Sequence, residues 1–232
     1  SSLIVLSQIR KKIKKIKKKP KKFENKLSKK IISNFHFQLT KNQINIINRI
    51  NEDLFSQSKM FRLLQGDVGS GKTIVALIIA ANVIESGYQV AFMAPTEILA
   101  NQHYILANKI FNESNIKTDF LTGKTSNSER KIKIKALKEN NINIIFGTHA
   151  LFQKKTEFGN LGLIIIDEQH KFGVKQRMEL SKKGGENCDI LVMSATPIPR
   201  TLIMTFYGDM DVSKLTEKPS YRKEIISLSK PE

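Results

Sequence analysis

The chain has 232 residues, 40% of them hydrophobic, and a formal net charge of +18. That length can bury a sizeable core, in one large α/β domain with extra segments or in two small domains. A single cysteine, Cys188, excludes an intramolecular disulfide and makes a reducing cytoplasm the expected compartment. The longest apolar run, residues 74–81, is too short to span a bilayer, so no membrane partner is expected. The positive charge is concentrated at one end: residues 1–30 hold thirteen Lys/Arg and one acid, Glu24. The rest of the chain is only mildly basic, so charge alone argues little for nucleic acid.

Leu6, Ile9, Ile13 and Ile16 recur at spacings of three and four between lysines. This predicts an amphipathic helix over residues 3–19 that stops before Pro20. Such a helix either docks its apolar stripe on a neighbour or presents its lysines to nucleic acid, and the spacing does not choose. Phe23, Leu27, Ile31 and Phe35 continue a second helical stripe. Thr40 is placed to cap a helix carrying Ile44, Ile47, Ile50 and Leu54, with Gln43 as the glutamine form of a capping box.

Alternating units follow. Strands are expected over residues 60–65, 88–94, 116–121, 142–147, 161–166 and 189–193. Helices are expected over 72–86, 97–111, 127–139, near 174–182 and over 198–206, with a short segment at 149–154. Ser126 or Ser128 is the expected cap of the helix at 127–139. Strands alternating with helices imply a mostly parallel sheet with helices on both faces, and ligands at the carboxyl ends of its strands.

Three strand ends carry chemistry. Gly66-Asp67-Val68-Gly69-Ser70-Gly71-Lys72-Thr73 fits the phosphate-binding pattern G-x-x-x-x-G-K-[ST] at every fixed position, between an apolar strand and an apolar helix. Glycines let the backbone approach a polyphosphate, where the helix N-terminus adds partial positive charge. Lys72 is the candidate for the β- and γ-phosphates of a bound nucleotide, and the Thr73 hydroxyl for Mg²⁺. The apolar run 161–166 stops in Asp167-Glu168-Gln169-His170. Asp167 is the candidate Mg²⁺ ligand, and Glu168 the base that orients and deprotonates an attacking water. The strand at 189–193 ends in Ser194-Ala195-Thr196, small hydroxyl residues suited to hydrogen bonds with Asp167 or His170. The four histidines lack cysteine partners and zinc-like spacing, and no G-x-S-x-G nucleophile elbow is present.

Together these motifs resemble the first RecA-like motor domain of superfamily 2 helicases and translocases, of DExH type. Longer strings at residues 64–73, 93–103, 147–151, 166–177 and 193–202 resemble the RecG family of bacterial branched-DNA helicases. Mfd-type duplex translocases share several of them. Ser70, Gln169 and the basic N-terminal segment favour RecG. A non-catalytic nucleic-acid-binding module working through the lysine arm is the alternative from another class.

The resemblance implies a RecA-like P-loop NTPase domain at residues 35–218. A basic helical linker at 1–34 precedes it, and a linker at 219–232 leads to a second motor domain. It implies adenine contacts from Phe37 and Gln43, although His36 stands where the family usually has proline. It implies coupling of ATP state to DNA state through Gln169, His170, Ser194, Ala195 and Thr196. DNA-backbone contacts are implied at Pro95, Thr96, Thr122, Gly123, Gly147, Thr148 and His149. Branched or forked DNA is the implied partner of a monomer that takes part in fork remodelling, recombination and repair. Without the arginines of a second motor domain or an upstream wedge domain, the chain reads as a piece of a longer protein with weak hydrolysis of its own.

Overall fold

Among the described residues, seven strands form one sheet in which every neighbouring pair runs parallel. They are β1 (Phe61–Gly66), β2 (Gln89–Met93), β3 (Thr118–Leu121), β4 (Ile144–Gly147), β5 (Leu161–Asp167), β6 (Asp189–Ser194) and β7 (Asp211–Leu215). Their spatial order is β3-β4-β2-β5-β6-β1-β7. The structure, a computed structural model, describes residues 17–153, 155–167, 185–196 and 210–217. The helices expected near 174–182 and over 198–206 lie outside these residues, as do residues 3–16 and the expected linker at 219–232.

The central strands are apolar on both faces because both faces are covered. On β5, Leu163 and Ile165 enter one core, and Ile164 and Ile166 enter the other. The first core is covered by α1 (Lys26–Ser33), α2 (Lys41–Phe55), α3 (Lys72–Glu85) and α4 (Glu97–Phe111). α5 (Asn127–Lys138) and the 3₁₀ turn His149–Phe152 bring Leu137, Leu151 and Phe152 to the second. α3 is buried without a break from Val75 to Val83, since it lies between the sheet and the two helices that precede it. Thr40 and Gln43 close the expected capping box on α2, and Ser126 caps α5 through the Glu129 amide. The mostly parallel sheet with helices on both faces, expected from the alternating pattern, is the arrangement observed.

Two features depart from expectation. β7 was not foreseen: its sequence is Asp-Val-Ser-Lys-Leu, and only Ser213 and Leu215 are buried. An edge strand with so little apolar surface leaves no periodic signal, and its place beside β1 comes from backbone pairing. The second departure is the basic segment. The helix expected to continue to residue 19 is not helical at Lys17, Lys18 or Lys19. Here the chain is an irregular strap held by backbone bonds from Lys18 to Gln57 and from Lys21 to Leu54, at 2.8 and 3.0 Å.

The strap is pinned by charge. Asp189, at the start of β6, receives the Lys18 ammonium at 2.7 Å and the Lys21 ammonium at 2.6 Å, and all three side chains are fully buried. The Met60 amide also donates to Asp189, at 2.7 Å. Lys18 further donates to the Asp53 carbonyl, and Lys21 to the Asn187 carbonyl while lying over the Tyr88 ring. Burial pushes the Lys18 ammonium below its usual range, against the pull of Asp189. Two lysines of the basic arm are thus internal counter-ions.

Removing Asp189 would leave two buried ammonium groups unpaired. Asp189→Ala is expected to lower stability by about 3–5 kcal/mol, read from urea unfolding. Lys26→Ala, which removes only an exposed pair with Glu24, should leave the midpoint unchanged. Cys188 is buried next to this cluster, and burial pushes its thiol up to about 12. A thiol reagent at pH 8 should therefore label it only after unfolding.

Candidate functional site

Gly66 ends β1, and the glycine-rich turn carries the chain into α3. Gly69 and Gly71 adopt φ of 83° and 88°, a left-handed backbone that side-chain-bearing residues rarely take. Gly66 is needed for a different reason: a Cβ there would lie 2.8 Å from the Cβ of Leu215 on β7. The N-terminus of α3 has no side-chain cap and no acid in its first turn. The Ser70 hydroxyl is buried without a hydrogen-bond partner. Lys72 reaches back across the turn to the carbonyls of Gly66 and Asp67, at 2.6 and 2.9 Å. A cationic, uncapped helix end with glycine-only walls fits a polyphosphate.

Gln43 is buried, and it does more than cap α2. Its side-chain oxygen accepts the Thr40 amide, and its Nε2 donates to the Ser70 carbonyl at 2.9 Å. A Cβ on Gly71 would strike that same amide nitrogen. The turn is therefore clamped from α2. Phe37 is half-buried and stacks on Phe35, with ring centroids 4.7 Å apart.

Asp167 ends β5, which lies two strands from β1 with β6 between them. At the spacing of paired strands that is about 10 Å. Asp167 is buried, and its Oδ2 lies 2.7 Å from Nε2 of His103 on α4. Ser194 is buried at the end of β6, with its hydroxyl 3.1 Å from that of Thr196. The Thr196 carbonyl accepts from Gln65 Nε2 at 3.0 Å. Among the described residues, no hydrogen bond joins Ser194 or Thr196 to Asp167, and the strand end is tied to β1 through Gln65 instead. Ala195 is half-exposed between them. Glu168, Gln169 and His170 lie outside the described residues.

The expected DNA-backbone residues end or follow β2, β3 and β4, which are neighbours at the far half of the sheet. Pro95 is half-exposed, and the Thr96 hydroxyl caps α4 through the Leu99 amide. Thr122 and Thr148 are buried, whereas Thr96, Gly123 and His149 are exposed. Gly147 meets the Leu121 carbonyl so closely that no Cβ could fit. These turns are cross-tied. Glu97 is bonded by Lys124 and Thr122, which hold its carboxyl below the usual range. Arg130 donates to the Thr122 carbonyl at 2.6 Å and to Gln153 at 3.4 Å.

Three of these residues were not foreseen: Gln65, His103 and Arg130. His103 had a legible signal, since it falls on one helical stripe with Ala100, Ala107 and Phe111. A polar residue on a buried stripe needs a partner. Gln65 is likewise the polar end of an apolar strand. Arg130 is one of many basic residues on a solvated helix, and nothing in its spacing marks it.

A DEAD/DEAH box helicase profile matches residues 40–205, a stretch that runs from the cap of α2 past β6. The chain belongs to the DEAD/DEAH box helicase family. Family membership implies use of ATP with a divalent metal. Relatives of this helicase segment include the ATP-dependent DNA helicase RecG of Aquifex aeolicus, 50% identical over 216 residues, which is 93% of the chain and 27% of the relative. RecG of Thermotoga maritima is 48% identical over 234 residues, covering 99% and 30%. A solved structure of RecG bound to a three-way DNA junction superposes with a TM-score of 0.83 at 45% identity, over 94% of this chain and 29% of that one. The resemblance to RecG is borne out across nearly the whole helicase segment, and the Mfd-type alternative is not favoured. The segment spans less than a third of the length of these relatives. No helix among the described residues is long and apolar enough to cross a membrane.

Gly71 tests the cradle. Gly71→Ala forces a side chain into a left-handed backbone, at about 1–2 kcal/mol, and into the Gln43 amide. Its affinity for a fluorescent ATP analogue should fall by about tenfold or more, the equivalent of 1.4 kcal/mol or more. Gly123→Ala, where nothing lies within 4 Å of the added carbon, should leave that affinity unchanged.

Proposed function

We propose that this chain is the ATP-driven motor segment of a RecG-type helicase that remodels branched DNA such as forks and Holliday junctions. The observation that carries the reading is the division of one sheet edge. The ends of β5, β6 and β1 bear the nucleotide-site residues, and the ends of β3, β4 and β2 bear the turns assigned to DNA. Nucleotide chemistry and strand tracking then share a single rigid support.

In this reading Lys72 and the backbone of residues 66–71 hold the β- and γ-phosphates, while Phe37 and Gln43 flank the adenine. Thr73 and Asp167 hold Mg²⁺, which when bound neutralises phosphate charge. Glu168 orients the attacking water and accepts its proton. Gln169, His170, Ser194, Ala195 and Thr196 pass the nucleotide state on to the DNA side. Pro95, Thr96, Thr122, Gly123, Gly147, Thr148 and His149 support the DNA backbone without reading bases, since small residues and hydroxyls at strand ends suit phosphates. The burial of Thr122 and Thr148 leaves direct contact to Thr96, Gly123 and His149, with the two threonines shaping the turns. Residues 35–218 are assigned to the motor domain, and residues 1–34 to a basic linker that precedes it. Residues 219–232 are assigned to the connection with a second motor domain that supplies arginines to the same nucleotide.

Two substitutions test the assignment on the whole chain. Lys72→Ala should abolish saturable ATP binding. Glu168→Gln should retain ATP binding while turnover drops by about 10²–10⁴-fold, the range for loss of a general base. Unchanged turnover in Glu168→Gln would remove Glu168 from its role.

A further inference from the structure

The two halves of the sheet edge meet between β2 and β5, which are paired neighbours. Among the described residues, one side-chain bond crosses that seam at the carboxyl ends of the strands. His103, on the helix that follows β2, places Nε2 2.7 Å from Oδ2 of Asp167 at the end of β5. Both residues are buried, at 9% and 7% exposure. The imidazole also packs against the Phe92 ring, with centroids 4.7 Å apart. α4 is itself anchored through buried Ala100, Ala107 and Phe111. An ionised carboxylate only accepts hydrogen bonds, so Nε2 must carry the proton. The result is a buried, charge-assisted bond that commits one carboxylate oxygen to the protein.

We propose that His103 is a positioning residue for the metal at the nucleotide site: by holding Asp167 Oδ2, it fixes the carboxylate so that Oδ1 is the oxygen offered to the metal. The inference rests on the assignment of Asp167 as a metal-holding residue. Residues that orient a metal ligand from behind commonly contribute 10–100-fold to metal affinity, because the ligand otherwise samples other rotamers. Through this bond the position of α4, and of the Pro95–Thr96 turn that begins it, enters the geometry of the metal site.

The test measures Mn²⁺ binding by electron paramagnetic resonance on the whole chain, saturated with a non-hydrolysable ATP analogue. His103→Phe keeps a ring against Phe92 but removes the donor, and Mn²⁺ affinity is expected to fall by about 10–100-fold. His103→Gln, whose Nε2 can replace the imidazole donor, should stay close to the parent. Affinity for the analogue without metal should be the same in all three. The proposal is overturned if His103→Phe binds Mn²⁺ as tightly as the parent, or if His103→Gln is as weak as His103→Phe. Asp167→Asn separates the two layers: parent-like Mn²⁺ affinity there would overturn the assignment of Asp167 itself. A weakened Asp167→Asn beside an unaffected His103→Phe would overturn only the role of His103. Should His103→Phe not fold, the parent carries the test by nitrogen-edited NMR. A slowly exchanging Nε2 proton should persist in the complex with Mg²⁺ and the analogue, and its loss there would sink the proposal.

Discussion

Parallel pairing of all seven strands is the constraint on which the rest depends. In a parallel sheet every strand delivers its carboxyl end to the same edge, and each connection must cross back over a face. Residues far apart in sequence are therefore gathered without any contact among their side chains. Lys72, Asp167 and Ser194 meet along one rim because β1, β6 and β5 are consecutive in space. The same ladder places Leu121, Gly147 and Met93 level across β3, β4 and β2, so the turns after them form a second continuous stretch of rim.

The opposite edge is secured by electrostatics. Asp189 begins β6 at 0% exposure and would be a costly buried charge on its own. Two lysines and the Met60 amide answer it, and the strap of residues 17–24 is thereby drawn across the base of the domain. Such a cluster adds little stability over an apolar equivalent, and its stronger effect is on register. Lys18 and Lys21 converge on the same carboxylate, which gives the strap a defined seat.

At the functional rim, order comes from hydrogen bonds between elements. Gln43 links α2 to the phosphate turn, Gln65 links β1 to the Ser194–Thr196 end, and His103 links α4 to Asp167. Each bond is made by a polar side chain at the margin of an apolar core, where loss of its partner would leave a desolvated group. Each bond ties one stretch of the rim to a neighbouring element.

Much of this protein is legible in its order of residues. Residues 66–73 announce a phosphate turn because glycine, lysine and threonine each meet a separate physical demand at a fixed spacing. The alternation of apolar runs marks six of the seven strands because buried parallel strands are apolar on both faces. What the chain order could not convey was partnership across space. The pattern of β7 is too polar to be read, and only pairing with β1 makes it a strand. Lys18 and Lys21 read as solvent-facing charge until Asp189 stands opposite them, 168 or more residues away. Nor does the sequence tie His103 to Asp167. Local sequence determined the elements and the phosphate turn, since propensity, capping and motif chemistry act over a few residues. The tertiary structure alone decided strand order, the burial of the lysines and the bonds between loops, because those energies depend on which distant groups lose water together.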